Sequence, residues 1–92
     1  MRKIIRSASF KKSLKRLSRN KSFKQEAFDE ILTLLRTDVV IPLRYNDHPL
    51  QGVYKGVRNC HIAPDIVLLY SKDKDFLYLY LLNIGSHSEL FS

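Results

Sequence analysis

Acidic residues are missing from the first 24 positions, cysteine occurs once, and glycine and proline occur three times each. Each scarcity excludes something. A lone Cys60 forms no internal disulfide and belongs to no Cys/His set with zinc spacing, so a disulfide-stapled secreted scaffold is excluded and a reducing, cytoplasmic setting is expected. So few glycines and prolines, beside a 45% hydrophobic fraction with five tyrosines and five phenylalanines, exclude a disordered or low-complexity chain. No apolar run exceeds the seven residues Phe76 to Leu82, whereas a bilayer span takes about 20 residues. Met1 to Ile5 is basic but lacks the apolar stretch of a signal peptide, so neither a membrane span nor a secretion signal is expected. The 92 residues are expected to form one domain, residues 1–92, because a chain this short buries only about two-thirds of its unfolded surface and supports one compact core.

The positive charge is local. Residues 1–24 hold ten Lys and Arg, while residues 25–92 hold six against nine Asp and Glu. A basic segment on a nearly neutral remainder suits contact with phosphates, since neutralising them releases counterions and gives sequence-independent affinity. Lys11, Lys12, Lys15, Arg16 and Arg19 are the candidate RNA-binding cations. The plainer alternative is a solvated helix face that only keeps the protein soluble.

Arg2 to Arg6 reads as a short strand, and Ser7 or Ser9 can cap a helix with an apolar stripe at Phe10, Leu14 and Leu17. Ser22-Phe23-Lys24-Gln25 fits a capping box for a second helix, whose stripe is Phe23, Ala27, Ile31 and Leu34 or Leu35, widened by Phe28 and Leu32 and ending near Arg36. After Pro42 the pattern becomes strands at Val53–Tyr54, Val57–Ile62, Ile66–Tyr70 and Phe76–Leu82. The expected fold class is α+β, ordered β-α-α-β-β-β-β, with an antiparallel-dominated sheet, the first strand at its edge and both helices on one face. Phe76–Leu82, apolar on both sides, is expected in the middle of the sheet.

His48, His61 and His87 all fall at strand ends or in connections, where a rigid scaffold presents chemical groups. A hairpin through Ala63-Pro64-Asp65 would bring Asp65 close to His61, and a carboxylate beside an imidazole raises its pKa and fixes its orientation. Phe91, four residues after His87, can stack on a base. There is no Gly-rich phosphate loop, HExxH or nucleophile elbow, and Cys60 and His61 are strand neighbours that point to opposite faces. The histidine spacing gives only a weak metal signal, so no metal and no other cofactor is expected.

Residues 47–52 (DHPLQG), residues 55–65 (KGVRNCHIAPD), the Leu68-Leu69-Tyr70 strand and residues 85–91 (GSHSELF) resemble the RelE-like toxins of bacterial toxin–antitoxin pairs, within them the YafQ type. The helical half is similar in layout and in its Ser-x-x-Phe-Lys-Lys start at Ser7. The resemblance implies a ribosome-dependent messenger-RNA endonuclease working in the ribosomal A site and silenced by a cognate antitoxin. It implies metal-free cleavage in which the RNA 2′-hydroxyl attacks the adjacent phosphate, leaving a 2′,3′-cyclic phosphate. The family's active-site positions fall on His48, His61, Asp65, His87 and Phe91. His87 and Asp65 are expected as the main proton-transfer pair, with His48 and His61 orienting the phosphate or sharing protons and Phe91 stacking on a base. Tyr54 and Ile66 stand where the family commonly has tryptophan, and Asn83 where it often has arginine, so Lys55 or Arg58 is expected to stabilise the phosphorane. The competing reading is a non-catalytic basic RNA- or DNA-binding module.

Overall fold

The computed structural model describes residues 1–91. Its elements run β1 (Lys3–Arg6), α1 (Ala8–Leu17), α2 (Gln25–Arg36), β2 (His48–Pro49), β3 (Arg58–Ala63), β4 (Ile66–Asp73), β5 (Tyr78–Gly85) and α3 (His87–Phe91), with 3-10 turns at Leu43–Tyr45 and Gly52–Tyr54. The five strands form one sheet in the order β1-β5-β4-β3-β2. Only β1 and β5 are parallel; every other pair is antiparallel. A parallel partner needs a long crossover, and the helices with everything after them supply it. The expected α+β class is therefore observed, with β1 at one edge. No described helix is long and apolar enough to cross a membrane.

α1 forms because Ser7 caps it, its hydroxyl accepting from the Phe10 N–H at 2.9 Å. Phe10 and Leu17 are buried from this helix and Phe28, Ile31 and Leu35 from α2; Phe10 stacks on Phe28 with ring centroids 6.2 Å apart. These side chains pack on Cys60, Ile62, Ile66, Leu68, Tyr70, Leu79, Leu81 and Ile84 from one face of the sheet. Burying each large apolar side chain contributes about 1.5–3 kcal/mol.

Four expectations change. The Ser22 capping box does not form: the Asn20 side chain accepts from the Ser22 N–H at 2.8 Å and the Asn20 carbonyl from Phe23, so a local turn competes with the helix, which starts at Gln25. Val53–Tyr54 is a 3-10 turn, and the strand in this region is His48–Pro49, selected by pairing with Arg58 and Asn59. β5 starts at Tyr78 because Asp73 Oδ1 accepts from the Asp75 and Phe76 N–H groups and turns the chain first. β4, buried on both faces over Ile66–Tyr70, takes the middle of the sheet, with β5 beside it. A third helix, α3, ends the described chain.

Candidate active site

Successive strand side chains alternate and directly opposed residues share a face. His61 of β3 is opposite Val67 of β4, which is opposite Gly85 of β5; His48 of β2 is opposite Asn59 of β3. Asn59 and His61 are two apart, and Cys60 and Ile62 point into the core covered by α1 and α2, so His48 and His61 lie together on the opposite face. One strand spacing across and two residues along put their backbones roughly 8 Å apart. The Nδ1 of His48 donates to the Asn46 carbonyl at 2.7 Å, which leaves Nε2 as the ring atom available for proton exchange. Asn46 also lines, with His61, Arg44, Tyr45, Ala63 and Pro64, a hollow of about 280 Å³. Two bulges flank this region, between His61 and Ala63 in β3 and at Leu82 in β5, and such irregularities re-aim side chains.

The rung from His61 through Val67 to Gly85 ends two residues before His87, the first residue of α3. The start of α3 is held by a reciprocal cap. The Ser86 N–H donates to Glu89 Oε1 at 3.0 Å and the Glu89 N–H donates to Ser86 Oγ at 3.2 Å. Gly85 leaves room for it, since a Cβ there would stand 3.4 Å from that same Oε1 and 3.6 Å from Leu90. Arg16 reaches across from α1 and donates to Glu89 Oε2 at 3.0 Å. The Ser86 N–H and hydroxyl, then the Arg16 charge, hold the Glu89 carboxyl below the usual carboxylate range. One turn on, the Phe91 ring lies 4.7 Å from the His87 ring and meets Tyr54 edge-on at 5.6 Å. The phenyl ring thus braces the imidazole from one side and the cap fixes its backbone from the other.

Asp65 stands elsewhere. It is exposed at the tip of the β3–β4 turn and lines a separate hollow of about 440 Å³ with Lys21, Ser22, Lys24, Ala63 and Pro64. Among the described residues no hydrogen bond joins it to a histidine. Ala63 and Pro64 line both hollows, with His61 in one and Asp65 in the other. Asp65 still marks the same end of the sheet as His61 and His87. Arg58 is also redirected. It is opposite Tyr70 on the core side, where its guanidinium donates to Asp47 at 3.0 Å and to the Tyr70 hydroxyl at 3.3 Å. The Tyr70 hydroxyl donates to the other Asp47 oxygen, and burial, then Asp47, push the phenol up. Alternation sends Arg58 away from the histidines, so it is not placed beside them as a phosphorane stabiliser.

Lys55 is exposed and follows Tyr54, which touches Phe91. Lys11, Lys12 and Lys15 are exposed along α1 and Arg19 in the turn that follows it, whereas Arg16 is engaged by Glu89. Asn83 accepts from the Ser13 hydroxyl at 2.8 Å and ties β5 to α1. Cys60 is fully buried, and burial, then the Asp47 charge, push its thiol up to about 12.

Sequence reasoning missed four residues. Ser86 and Glu89 were legible as a Ser-x-x-Glu cap. Asn46 and Asn59 carried no local signal. Asn59 is 3% exposed, shares the face of His48 and His61, and its Oδ1 has no hydrogen-bond partner among the described residues. A buried unpaired acceptor costs about 1–3 kcal/mol and is a feature found where function opposes stability.

Chemically, three imidazoles, an exposed ammonium and an aromatic ring suit proton transfer to and from an anionic, base-bearing substrate. Among the described residues no group of three or more His, Cys, Asp and Glu side chains is placed to hold a metal ion.

The family model "Bacterial toxin of type II toxin-antitoxin system, YafQ" matches residues 2–92. A curated relative, the mRNA interferase toxin YafQ of Escherichia coli strain B/BL21-DE3, is 33% identical over 91 residues, covering 98% of this chain and 96% of that protein. The alignment with the protein of the same name from strain K12 is 39% identical over 62 residues and spans 66% of this chain and 65% of that one. Among solved structures, a metal-bound toxin from Helicobacter pylori superposes with a TM-score of 0.91 at 40% identity, covering 99% of this chain and 100% of that one. The E. coli DinJ–YafQ complex gives 0.85 at 32% identity, with both chains fully covered.

Proposed function

This chain belongs to the YafQ family of bacterial type II toxins, and we propose that it is the endoribonuclease of a toxin–antitoxin pair, cutting messenger RNA in the A site of cytoplasmic ribosomes. The observation that carries this reading is the rung His61–Val67–Gly85, which sets His61 and His87 at one end of the sheet, with His48 on the same face as His61. In the proposed reaction the RNA 2′-hydroxyl gives up its proton to one of these groups and attacks the adjacent phosphorus. The bond to the leaving 5′-oxygen breaks, another group protonates that oxygen, and a 2′,3′-cyclic phosphate remains. No water is consumed in this step. His87 is the principal proton carrier, held by the α3 cap and by Phe91. His48 acts through Nε2, and His61 orients the phosphate from the neighbouring strand. Asp65, on the turn at the same end, takes a proton only in the bound complex, where RNA spans the ridge made by Ala63 and Pro64. Lys55 supplies the charge for the phosphorane and Phe91 offers its free face to a base.

The exposed cations of α1 suit ribosomal RNA, and the same basic surface suits an acidic antitoxin segment that folds on contact. The partner proposed is a cognate antitoxin, the role DinJ has in the E. coli complex. The test is single-turnover cleavage of message on translating ribosomes. His87→Ala and His61→Ala should each reduce the rate by about 10²- to 10⁴-fold with the melting temperature unchanged. Near-normal cleavage by both variants refutes the assignment, and ribosome binding without cleavage by the unaltered protein supports a non-catalytic RNA-binding module instead.

A further inference from the structure

A row of three aromatic rings lies on the sheet face opposite α1 and α2, away from the histidines. Phe76 packs on Tyr78 with centroids 5.9 Å apart and planes 23° from parallel, and Tyr78 meets Tyr80 edge-on at 5.9 Å. None of the three belongs to the core cluster, whereas Leu79 and Leu81 between and beyond them are fully inside it. Phe76 is 69% exposed and both tyrosines are partly exposed. β4 alternates without interruption, and it carries Val67 beside His61 and Ser71 beside Tyr80, so the row and the histidines share one face. Val67 and Ser71 are four residues apart, about 13 Å along the strand. On the outer side Lys3, exposed at the β1 edge, is opposite Tyr78, and Ile5 is opposite Tyr80.

We propose that Phe76, Tyr78 and Tyr80 form a base-stacking platform for single-stranded RNA, gripping the message several nucleotides from the scissile bond. The inference rests on the nuclease reading, because a strand lying across the histidines and continuing along this face meets these rings next. Side chains two apart on a strand repeat at about 6.6 Å, which suits successive bases of an extended strand. Every base has a π face, so such a grip tolerates sequence. Lys3 supplies a cation beside the row, as a passing phosphate requires. A sheet face bearing aromatic side chains with cations near them is a surface that splayed bases recognise.

The test is fluorescence anisotropy of a short fluorescein-labelled single-stranded RNA with the full chain carrying His87→Ala, so that no cleavage occurs. Tyr78→Ala/Tyr80→Ala should weaken binding by about tenfold or more, the scale of one lost base–aromatic stack, and Tyr78→Phe/Tyr80→Phe should restore it. An abasic RNA of equal length should bind the parent protein at least as poorly as intact RNA binds the double alanine variant, because it also loses its stacks on Phe76 and Phe91. Phe76→Ser, at a residue exposed in a turn, should weaken binding severalfold and does not depend on how the tyrosine positions tolerate truncation. Unchanged affinity in Phe76→Ser and the double alanine variant, or equal binding of abasic and intact RNA, overturns the proposal. Loss of antitoxin binding with RNA affinity unchanged also overturns it, and assigns the row to a protein partner. Cleavage of ribosome-bound message by the unaltered chain is followed in parallel: failure there sinks the nuclease reading, whereas cleavage with platform variants that bind normally sinks this inference alone.

Discussion

Glu89→Ala is expected to slow cleavage by loosening α3, the short helix that carries His87 and no other proposed proton carrier. α3 has five residues, far below the roughly 12–15 at which an isolated helix becomes marginally stable, so its cap and its docking decide whether His87 stays in place. The substitution removes the acceptor of the Ser86 N–H and the partner of Arg16. Loss of a capping interaction costs about 1 kcal/mol, and an exposed ion pair adds at most about 1 kcal/mol. Together these change the ratio of docked to frayed α3 by about 5- to 30-fold, because 1.4 kcal/mol is tenfold in an equilibrium constant. The rest of the core is untouched, so the melting temperature should hold within about 2 °C while the single-turnover cleavage rate falls several-fold. Glu89→Gln retains an acceptor for the capping box and should recover most of the loss. Unaltered cleavage in Glu89→Ala, or a glutamine variant as slow as the alanine one, would refute this account of how His87 is held.

Three further predictions concern stability and reactivity. Asp38 bonds Arg2 at 2.7 Å and Lys72 at 2.9 Å, which lower its carboxyl from 3.8 to about 2. A depressed carboxylate stabilises the fold above its unfolded pKa and loses that contribution as pH falls through its folded one. The melting temperature of Asp38→Asn should therefore trail the parent at neutral pH and converge with it between about pH 4 and pH 2; a constant gap down to pH 2 would contradict the pairing. The Cys60 thiol, buried and raised to about 12, should react with a thiol reagent only as fast as the protein unfolds, and rapid labelling of the native protein would disprove its placement. Asn59→Leu removes an unpaired buried acceptor and should leave stability equal or raise it by about 1–3 kcal/mol while slowing cleavage, read by denaturant melts and the ribosome assay; destabilisation with normal cleavage would contradict that placement.

Local signals are legible in the sequence, whereas placement across the sheet depends on distant partners. Ser7 and the Phe10, Leu14, Leu17 stripe identify α1 because a cap and a 3.6-residue period are properties of neighbouring residues. The strands around Cys60 and Leu68 were equally visible. Val53 and Tyr54 are β-formers, yet Val53 is 95% exposed in a 3-10 turn, while unremarkable His48–Pro49 becomes a strand because Asn59 and Arg58 are there to pair with it. Pairing is non-local and overrides propensity. The same holds at the site. The positions of His48, His61 and His87 at strand ends are visible in the sequence, and register brings His61 and His87 to one end of the sheet. The register shift between His61 and Ala63, just before the turn that carries Asp65, is announced by no composition signal. Arg58 was readable in principle: once Cys60 points inward, alternation sends Arg58 inward too, and Asp47 and Tyr70 are its partners there.

The most direct measurement is the chemical identity of the two ends left when the protein cuts message on translating ribosomes in the presence of EDTA. Attack by the neighbouring sugar hydroxyl with side chains as the proton carriers predicts a 2′,3′-cyclic phosphate upstream and a free 5′-hydroxyl downstream. A 3′-hydroxyl with a 5′-phosphate, or cleavage that stops when divalent ions are withdrawn while the ribosomes stay intact, would contradict it.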